Sequence, residues 1–176
     1  MRTLIAYSSG YGTTREVAEK IGDILKNDGC FQVTVKSIDD VHDLAPYQAV
    51  IVGSSVRADL PLANVRDFFA KHRAELVEKS VAVFAVCLAA NNFAGREKVK
   101  KEYLGYFKEK YPEIVPISTE AFGGKIDFDR LNPVMQALMK RVLEKTGVPT
   151  TGSVDTRDWS FIEAWAINLK NLLKAN

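Results

Sequence analysis

Short apolar runs alternate with amphipathic segments along almost the whole chain, and this alternation narrows the choice of fold more than any other feature. Each run has the length of a β-strand, and the runs lie at residues 3–7, 31–35, 49–52, 81–88 and 114–117 or slightly beyond. The third and fourth runs are continuously apolar and rich in β-branched residues, which is typical of strands covered on both faces. We therefore predict five strands in one parallel sheet.

Helices are predicted between and after these strands. The segment 13–28 places Val17, Ile21 and Leu25 on one helical face. Further helices are predicted at 62–71, 97–111, 133–145 and 158–175. This alternation gives a doubly wound α/β fold of three layers, in which helices cover both faces of the sheet. The helix at 133–145 lies in a turn-rich segment after the fifth strand, which we interpret as an insertion.

The composition is that of a globular protein, and it excludes several other classes. The chain has 176 residues, of which 47% are hydrophobic, and its length predicts a single domain over 1–176. A formal net charge of +2 is too balanced to indicate a nucleic-acid partner. Cys30 and Cys87 belong to no disulfide or metal-binding motif, so no metal site is predicted. With no secretion signal or apolar stretch of membrane-spanning length, we expect a cytoplasmic protein.

The turn between the first strand and the first helix has the chemistry of an anion site. Helix N-termini carry unpaired amides and partial positive charge, glycine lets the backbone approach a ligand, and hydroxyls add donors. We predict that a phosphate is bound by Ser9, Gly10, Tyr11, Gly12, Thr13 and Thr14. The alternative is an N-cap turn in which Thr13 or Thr14 only begins the helix, although capping accounts for a single hydroxyl.

Other phosphate-binding designs fit this turn less well. The P-loop of nucleoside triphosphatases needs a lysine after its last glycine, where this chain has Thr13. A dinucleotide fingerprint needs glycine or alanine at position 15, where this chain has Arg15, although Asp39 and Asp40 lie at a suitable distance for that motif. A hydroxyl-rich loop without lysine suits a terminal monophosphate such as that of FMN.

This turn resembles the phosphate loop of the flavodoxin family, whose pattern is Ser/Thr-x-Thr-Gly-x-Thr. Ser9, Gly12 and Thr14 match the pattern, and Tyr11 replaces its middle threonine. The resemblance implies a flavodoxin-like fold and non-covalent FMN, with ring contacts after the third and fourth strands at Ser54, Ser55, Val56, Arg57, Cys87, Leu88, Ala89, Ala90 and Asn91. Arg57 either stabilises the reduced flavin or is a solvated surface arginine.

Over nearly its whole length the chain is similar to the menaquinone-linked protoporphyrinogen IX dehydrogenases, a group with the flavodoxin fold. The similarity is carried by residues 53–57, 68–72 and 154–159, and by a helix-bearing insertion at 122–151. It implies an FMN-dependent oxidoreductase that oxidises a porphyrinogen and passes electrons to a quinone. No catalytic residue is predicted, and His42 and His72 are interpreted as surface or packing residues.

Two other functions remain open. The first is an electron carrier between redox partner proteins; such carriers are generally acidic and shorter, whereas this chain is mildly basic and carries the insertion, which favours an enzyme. The second is a structural or regulatory domain without cofactor, which would be colourless when purified.

The inserted helix at 133–145 is basic and amphipathic. Val134, Leu138, Met139 and Val142 are predicted to share one broad face with Leu131, widened by Met135 and Leu143 and flanked by Lys140, Arg141 and Lys145. We predict that 131–145 contacts a lipid-soluble partner such as a quinone, or the inner face of the cell membrane as a peripheral surface. The alternative is that this face packs on the parent domain.

Overall fold

Parallel strands form the centre of the molecule. The structure, a computed structural model, describes residues 1–27, 29–57, 60–144 and 147–175, without the side chains of Arg57, Leu60 and Val142. The strands are β1 (Arg2–Ser8), β2 (Gln32–Ser37), β3 (Ala49–Arg57), β4 (Leu60–Pro61), β5 (Ser80–Val86), β6 (Ser118–Phe122), β7 (Lys125–Asp127) and β8 (Ser153–Asp155). Five of them pair in parallel in the order β2-β1-β3-β5-β6. β4 pairs antiparallel with β3, and β7 pairs antiparallel with β8.

Helices cover both faces of this sheet, so the predicted doubly wound α/β fold is confirmed. The helices are α1 (Thr13–Lys26), α2 (Ala63–Lys71), α3 (Arg73–Val77), α4 (Phe93–Val99), α5 (Gly105–Lys110), α6 (Pro133–Leu143) and α7 (Trp159–Ala175). One π-helical turn, Lys100–Leu104, joins α4 to α5. α1 and α7 contribute to the apolar cluster on one face, and α2 to α5 contribute to the cluster on the other.

β5 shows why both faces are filled. Its side chains alternate between the two clusters, because successive residues of a strand point to opposite faces. Val81, Val83 and Ala85 belong to the cluster with α2 to α5, and Ala82, Phe84 and Val86 belong to the cluster with α1 and α7. All six are buried. A continuous apolar run is therefore what a central strand of this sheet requires.

The fifth predicted strand lies later in the chain than its apolar run. β6 is Ser118–Phe122, whereas the run at 114–117 forms the approach to it. Ile114 is buried and its N–H donates to the Tyr111 carbonyl in a turn, and sheet pairing begins when the Ile117 N–H donates to the Val81 carbonyl at 2.8 Å. The strand was predicted too early in the chain because hydrophobicity indicates burial, and a buried turn residue is as apolar as a buried strand residue.

The insertion after β6 has a small core of its own. Phe128, Leu143, Val148 and Val154 form a buried cluster with Leu88, and Ile126, Leu131 and Met139 pack against it. The prediction of one broad apolar face on α6 is therefore wrong. Leu143 and Met139 pack inward, whereas Val134 is 77% exposed and Leu138 is 51% exposed. Among the described residues, no helix is both long enough and apolar enough to cross a membrane.

We expect Phe84→Ala to lower the free energy of unfolding by about 3–5 kcal/mol, because it leaves a cavity between sheet and helix. Phe84 is fully buried, and its ring lies 5.9 Å from Phe122 and 6.1 Å from Trp165 between centroids. Phe93→Ala is the matched control, since Phe93 is 70% exposed. Urea unfolding of the apoprotein measures both, and a similar loss for the two variants would contradict this assignment of the core.

Candidate functional site

The strand order reverses at β1, which has β2 on one side and β3 on the other. The register places Ser8 beside Ser54, and Ser55 beside Val86, so the carboxyl ends of β1, β3 and β5 lie together. Ligands of open α/β sheets bind in the crevice outside such a reversal. Two stretches are predicted to contact the flavin ring, 54–57 and 87–91, and are called the ring segments below. The predicted phosphate loop and both ring segments therefore lie at one edge of the sheet.

Gly12 is the N-cap of α1, so neither Thr13 nor Thr14 occupies the capping position. Gly12 has φ of 88°, in the left-handed region that favours glycine, and its carbonyl accepts from the Glu16 N–H at 3.0 Å. In the described part of the chain, no side chain caps the first amides of α1. These amides are thus available to an external acceptor, which is the property that an anion site needs.

The Thr14 hydroxyl is a second unsatisfied donor at the same place. Thr14 is 1% exposed, and its Oγ1 has no hydrogen-bond partner among the residues that the structure describes. A buried hydroxyl without a partner costs about 1–3 kcal/mol. An anion at the start of α1 would remove that cost by accepting from the hydroxyl, so these residues fit a phosphate group.

Hydroxyls at the ends of β1 and β3 form hydrogen bonds at the base of the crevice. The Ser8 hydroxyl donates to Asn64 Oδ1 at 2.8 Å, and the Ser55 hydroxyl donates to the Ser8 carbonyl at 3.2 Å. Asn64 Nδ2 in turn donates to Asp39 Oδ1 at 2.9 Å. The sequence gives no signal for the role of Asn64, because it lies 56 residues after Ser8. Asp39, which the dinucleotide alternative would place on a ribose, accepts from Asn64 instead.

The predicted ring segment at 54–57 is the end of a strand, and the prediction of a loop there was wrong. β3 continues to Arg57 and turns back as β4, with Val56 opposite Pro61. Ser54 is buried, and its hydroxyl donates to the Ser55 carbonyl at 2.7 Å and accepts from the Leu62 N–H at 3.2 Å. The Arg57 side chain lies outside the described part of the structure, so its predicted role stays a prediction.

The second ring segment leaves β5 as a tight turn. Cys87 is extended, and Leu88–Ala90 form one turn of 3-10 helix. The side chains of Leu88 and Ala90 are buried, in the insertion cluster and the main core respectively, whereas Cys87, Ala89 and Asn91 are half-buried. A ligand at this turn would therefore meet the main chain and the half-buried side chains.

Gly124 and Thr156 support that turn from the insertion, and sequence reasoning missed both. A Cβ at Gly124 would lie 3.0 Å from the Leu88 nitrogen, so a larger residue would require this turn to shift by a few tenths of an ångström. The Thr156 hydroxyl accepts from the Gly124 N–H at 3.1 Å and donates to its carbonyl at 3.0 Å. The available signals were the adjacent glycines at 123 and 124 and the segment 154–159, which carries part of the similarity to the dehydrogenases.

Arg157 links the same segment to α1. Its guanidinium donates from Nη1 to Glu16 Oε2 at 2.6 Å, and from Nε and Nη2 to the two oxygens of Asp155 at 2.9 and 2.6 Å. Only 4% of the side chain is exposed. Hydrogen bonds from Arg157 hold the pKa of the Asp155 carboxyl below its ordinary value, against the opposing effect of burial. This contact therefore stabilises the fold above about pH 4 and is lost as the pH falls through the lowered pKa.

Comparison with known proteins gives a family and several relatives of low identity. The family profile described as "Flavodoxin domain" matches residues 4–153. The protoporphyrinogen IX dehydrogenase (quinone) of Escherichia coli strain K12 is 24% identical over 98% of this chain and 96% of its own length. The protein of the same name from Leishmania major is 24% identical over 94% of this chain and 73% of its own length. A flavodoxin from the domain Archaea has a TM-score of 0.59 at 18% identity over 99% of both chains, a likeness in fold.

We expect Thr14→Val to raise the free energy of unfolding of the apoprotein by about 1 kcal/mol, because it removes a buried hydroxyl that has no partner. Thr3→Val is the matched control: Thr3 Oγ1 is also buried and without a partner in the described structure, at the opposite end of β1. Urea unfolding should show both variants at least as stable as the wild type. A loss of 1 kcal/mol or more in Thr14→Val alone would show that its hydroxyl is already satisfied.

Proposed function

Because the chain belongs to the flavodoxin domain family, which implies flavin binding, we propose that it holds FMN at the carboxyl ends of β1, β3 and β5. The observation that carries this proposal is the buried Thr14 hydroxyl without a described partner, at the start of a helix that no side chain caps there. A phosphate dianion at this point would accept charge-assisted hydrogen bonds from that hydroxyl and from the first amides of α1. When bound, FMN would supply the redox chemistry.

The residues have separate tasks in this proposal. The phosphate would be held by the turn at 9–14, with hydroxyls from Ser9, Thr13 and Thr14. The ring would lie between 54–57 and 87–91, where main-chain groups and the half-buried side chains orient it and limit its contact with water. Hydrogen bonds of the Ser54 and Ser55 hydroxyls, which include bonds to Ser8 and Leu62, hold the first of these segments in position.

The proposed reaction is the oxidation of a porphyrinogen with a quinone as electron acceptor. Two relatives are named protoporphyrinogen IX dehydrogenase (quinone), and the E. coli protein aligns over nearly the full length of both chains. Each step would remove two electrons and two protons from the porphyrinogen, and the quinone would leave as quinol. The insertion supports an enzyme, because its cluster includes Leu88 of a ring segment.

An electron carrier is the second candidate, favoured by one observation. Tyr11, in the phosphate turn, is 77% exposed, and Phe93, just after the second ring segment, is largely exposed. Exposed aromatic side chains beside a cofactor suit transient docking of a redox partner protein.

One pair of measurements separates these functions. Absorption spectra of the purified protein with added FMN test cofactor uptake, and an assay with protoporphyrinogen IX and menadione tests the reaction. We expect uptake of FMN and flavin-dependent oxidation of the porphyrinogen. Uptake without oxidation would favour the carrier, and absence of uptake would overturn the proposal of a flavoprotein.

We expect the double variant Ser9→Ala, Thr14→Val to weaken binding of FMN much more than binding of riboflavin, which lacks the phosphate. Each lost charge-assisted hydrogen bond should cost about 1.5–3 kcal/mol. Titrations that follow flavin fluorescence measure both affinities, with Thr3→Val as the control that should change neither. An equal loss for the two flavins would contradict a phosphate-binding turn.

We also propose that α6 brings the protein to an anionic membrane surface, on the inner face of the cell membrane. Val134 and Leu138 lie one helical turn apart and are both exposed. The helix also carries Lys140 and Arg141 and no acidic residue, which complements a negative surface. Each basic residue contributes about 1 kcal/mol near such a surface, so the attachment would be weak and sensitive to salt. Lys145 of the predicted face lies outside the described residues.

Co-sedimentation with vesicles containing phosphatidylglycerol tests this contact. We expect the wild type to sediment with the vesicles at low salt and to dissociate at high salt, and we expect Leu138→Glu to stay in the supernatant. Ile167→Glu is the matched control on α7, where Ile167 is 54% exposed. A wild type that stays in the supernatant at low salt would contradict the membrane contact.

A further inference from the structure

The chain between β8 and α7 touches both halves of the proposed flavin site. Residues 154–159 contribute to the similarity with the dehydrogenases. Thr156 contacts the turn after β6, and the next residue, Arg157, contacts the first turn of α1. One short segment of the insertion therefore reaches the ring side and the phosphate side of the crevice.

On the ring side, Thr156 is hydrogen-bonded to the glycine that lies against the second ring segment. Three hydrogen bonds join Thr156 to Gly124: two through its hydroxyl, and one from its N–H to the Gly124 carbonyl at 2.9 Å. Gly124 in turn lies against the Leu88 nitrogen, and the Cys87 N–H donates to the Phe122 carbonyl at 3.0 Å. A displacement of Gly124 would shift the peptide between Cys87 and Leu88, which is part of the proposed ring contact.

On the phosphate side, Arg157 neutralises an acidic residue beside the anion site. Glu16 lies in the first turn of α1, and its N–H donates to the carbonyl of the N-cap Gly12. A carboxylate there interacts favourably with the helix dipole and stabilises the apoprotein, but it repels a phosphate dianion bound at the same helix end. Arg157, whose side chain is 4% exposed, offsets this charge and shares its own between Glu16 and Asp155.

We propose that Thr156 and Arg157 are positioning residues for the flavin: Thr156 sets the ring segment at 87–88, and Arg157 makes α1 selective for a phosphorylated flavin by neutralising Glu16. This inference rests on the proposed FMN site and assigns different roles within it to Thr156 and Arg157. The ring contact is common to FMN and riboflavin, whereas the charge at Glu16 acts on FMN alone. The two residues therefore differ in which ligand they affect.

The test compares the FMN and riboflavin affinities of three variants. Arg157→Gln should weaken FMN by about tenfold relative to riboflavin, as one uncompensated charge near a dianion would. Thr156→Val keeps the shape and removes the hydroxyl, so it should weaken both flavins by the same factor. Lys20→Gln is the matched control: Lys20 of α1 also pairs with a distant residue, since its Nζ lies 2.6 Å from Glu163 Oε1 of α7, one turn further from the phosphate loop. It should leave both affinities unchanged.

A double variant separates the effect of the lost charge from damage to the fold. Glu16→Gln combined with Arg157→Gln should raise the ratio of FMN to riboflavin affinity above that of Arg157→Gln alone, because Glu16 is then neutral and only the Asp155 carboxylate has lost its partner. An equal loss of both flavins in Arg157→Gln, or a ratio that the double variant leaves as low as in Arg157→Gln, would overturn the role of Arg157. An unchanged riboflavin affinity in Thr156→Val would overturn the role of Thr156. A wild type that binds neither flavin would overturn the proposed function itself, and this inference with it.

Discussion

The register of three parallel strands is the constraint on which the site depends. β1, β3 and β5 are buried on both faces, so every connection between them must cross over through a helix and return at the same edge. The pairing of Ser8 with Ser54 and of Ser55 with Val86 brings three strand ends level with one another. A shift of one residue in any pair would move each side chain from one apolar cluster to the other, so the packing of the two clusters also holds the crevice in place.

The turn at 9–14 concentrates features that favour a ligand over the stability of the apoprotein. Gly12 adopts a left-handed backbone, the first amides of α1 lack a side-chain cap in the described structure, and the Thr14 hydroxyl is buried there without a partner. A glycine at this position also leaves the unfolded chain more conformational freedom to lose on folding. Local departures of this kind are typical of functional sites, where a ligand completes the contacts that the chain alone does not make.

The sequence was sufficient for β1, β2, β3 and β5 and for the helices α1, α2 and α7, because each has a local signature. Apolar β-branched runs indicate buried strands, and glycines with hydroxyl residues at a strand-to-helix turn indicate an anion site. Three features had no such signature. Ser118–Phe122 is less apolar than the turn before it, Asn64 meets Ser8 across 56 residues, and Thr156 meets Gly124 across 32. Contacts between residues so distant in sequence depend on the packing of whole elements, which the pattern of one segment does not specify.

The insertion shares a buried cluster with the turn that follows β5 and is not an appended module. Leu88 shares its buried cluster with Phe128 and Val154, so the turn that follows β5 is packed from the insertion side. Met139 of α6 packs against that same cluster, while Leu138, the residue before it, is exposed. α6 therefore has one side that packs on the cluster with Leu88 and another that is exposed. A core shared between this turn and the insertion makes the position of the turn depend on how the insertion packs, so a substitution inside the cluster would be felt at the carboxyl end of β5.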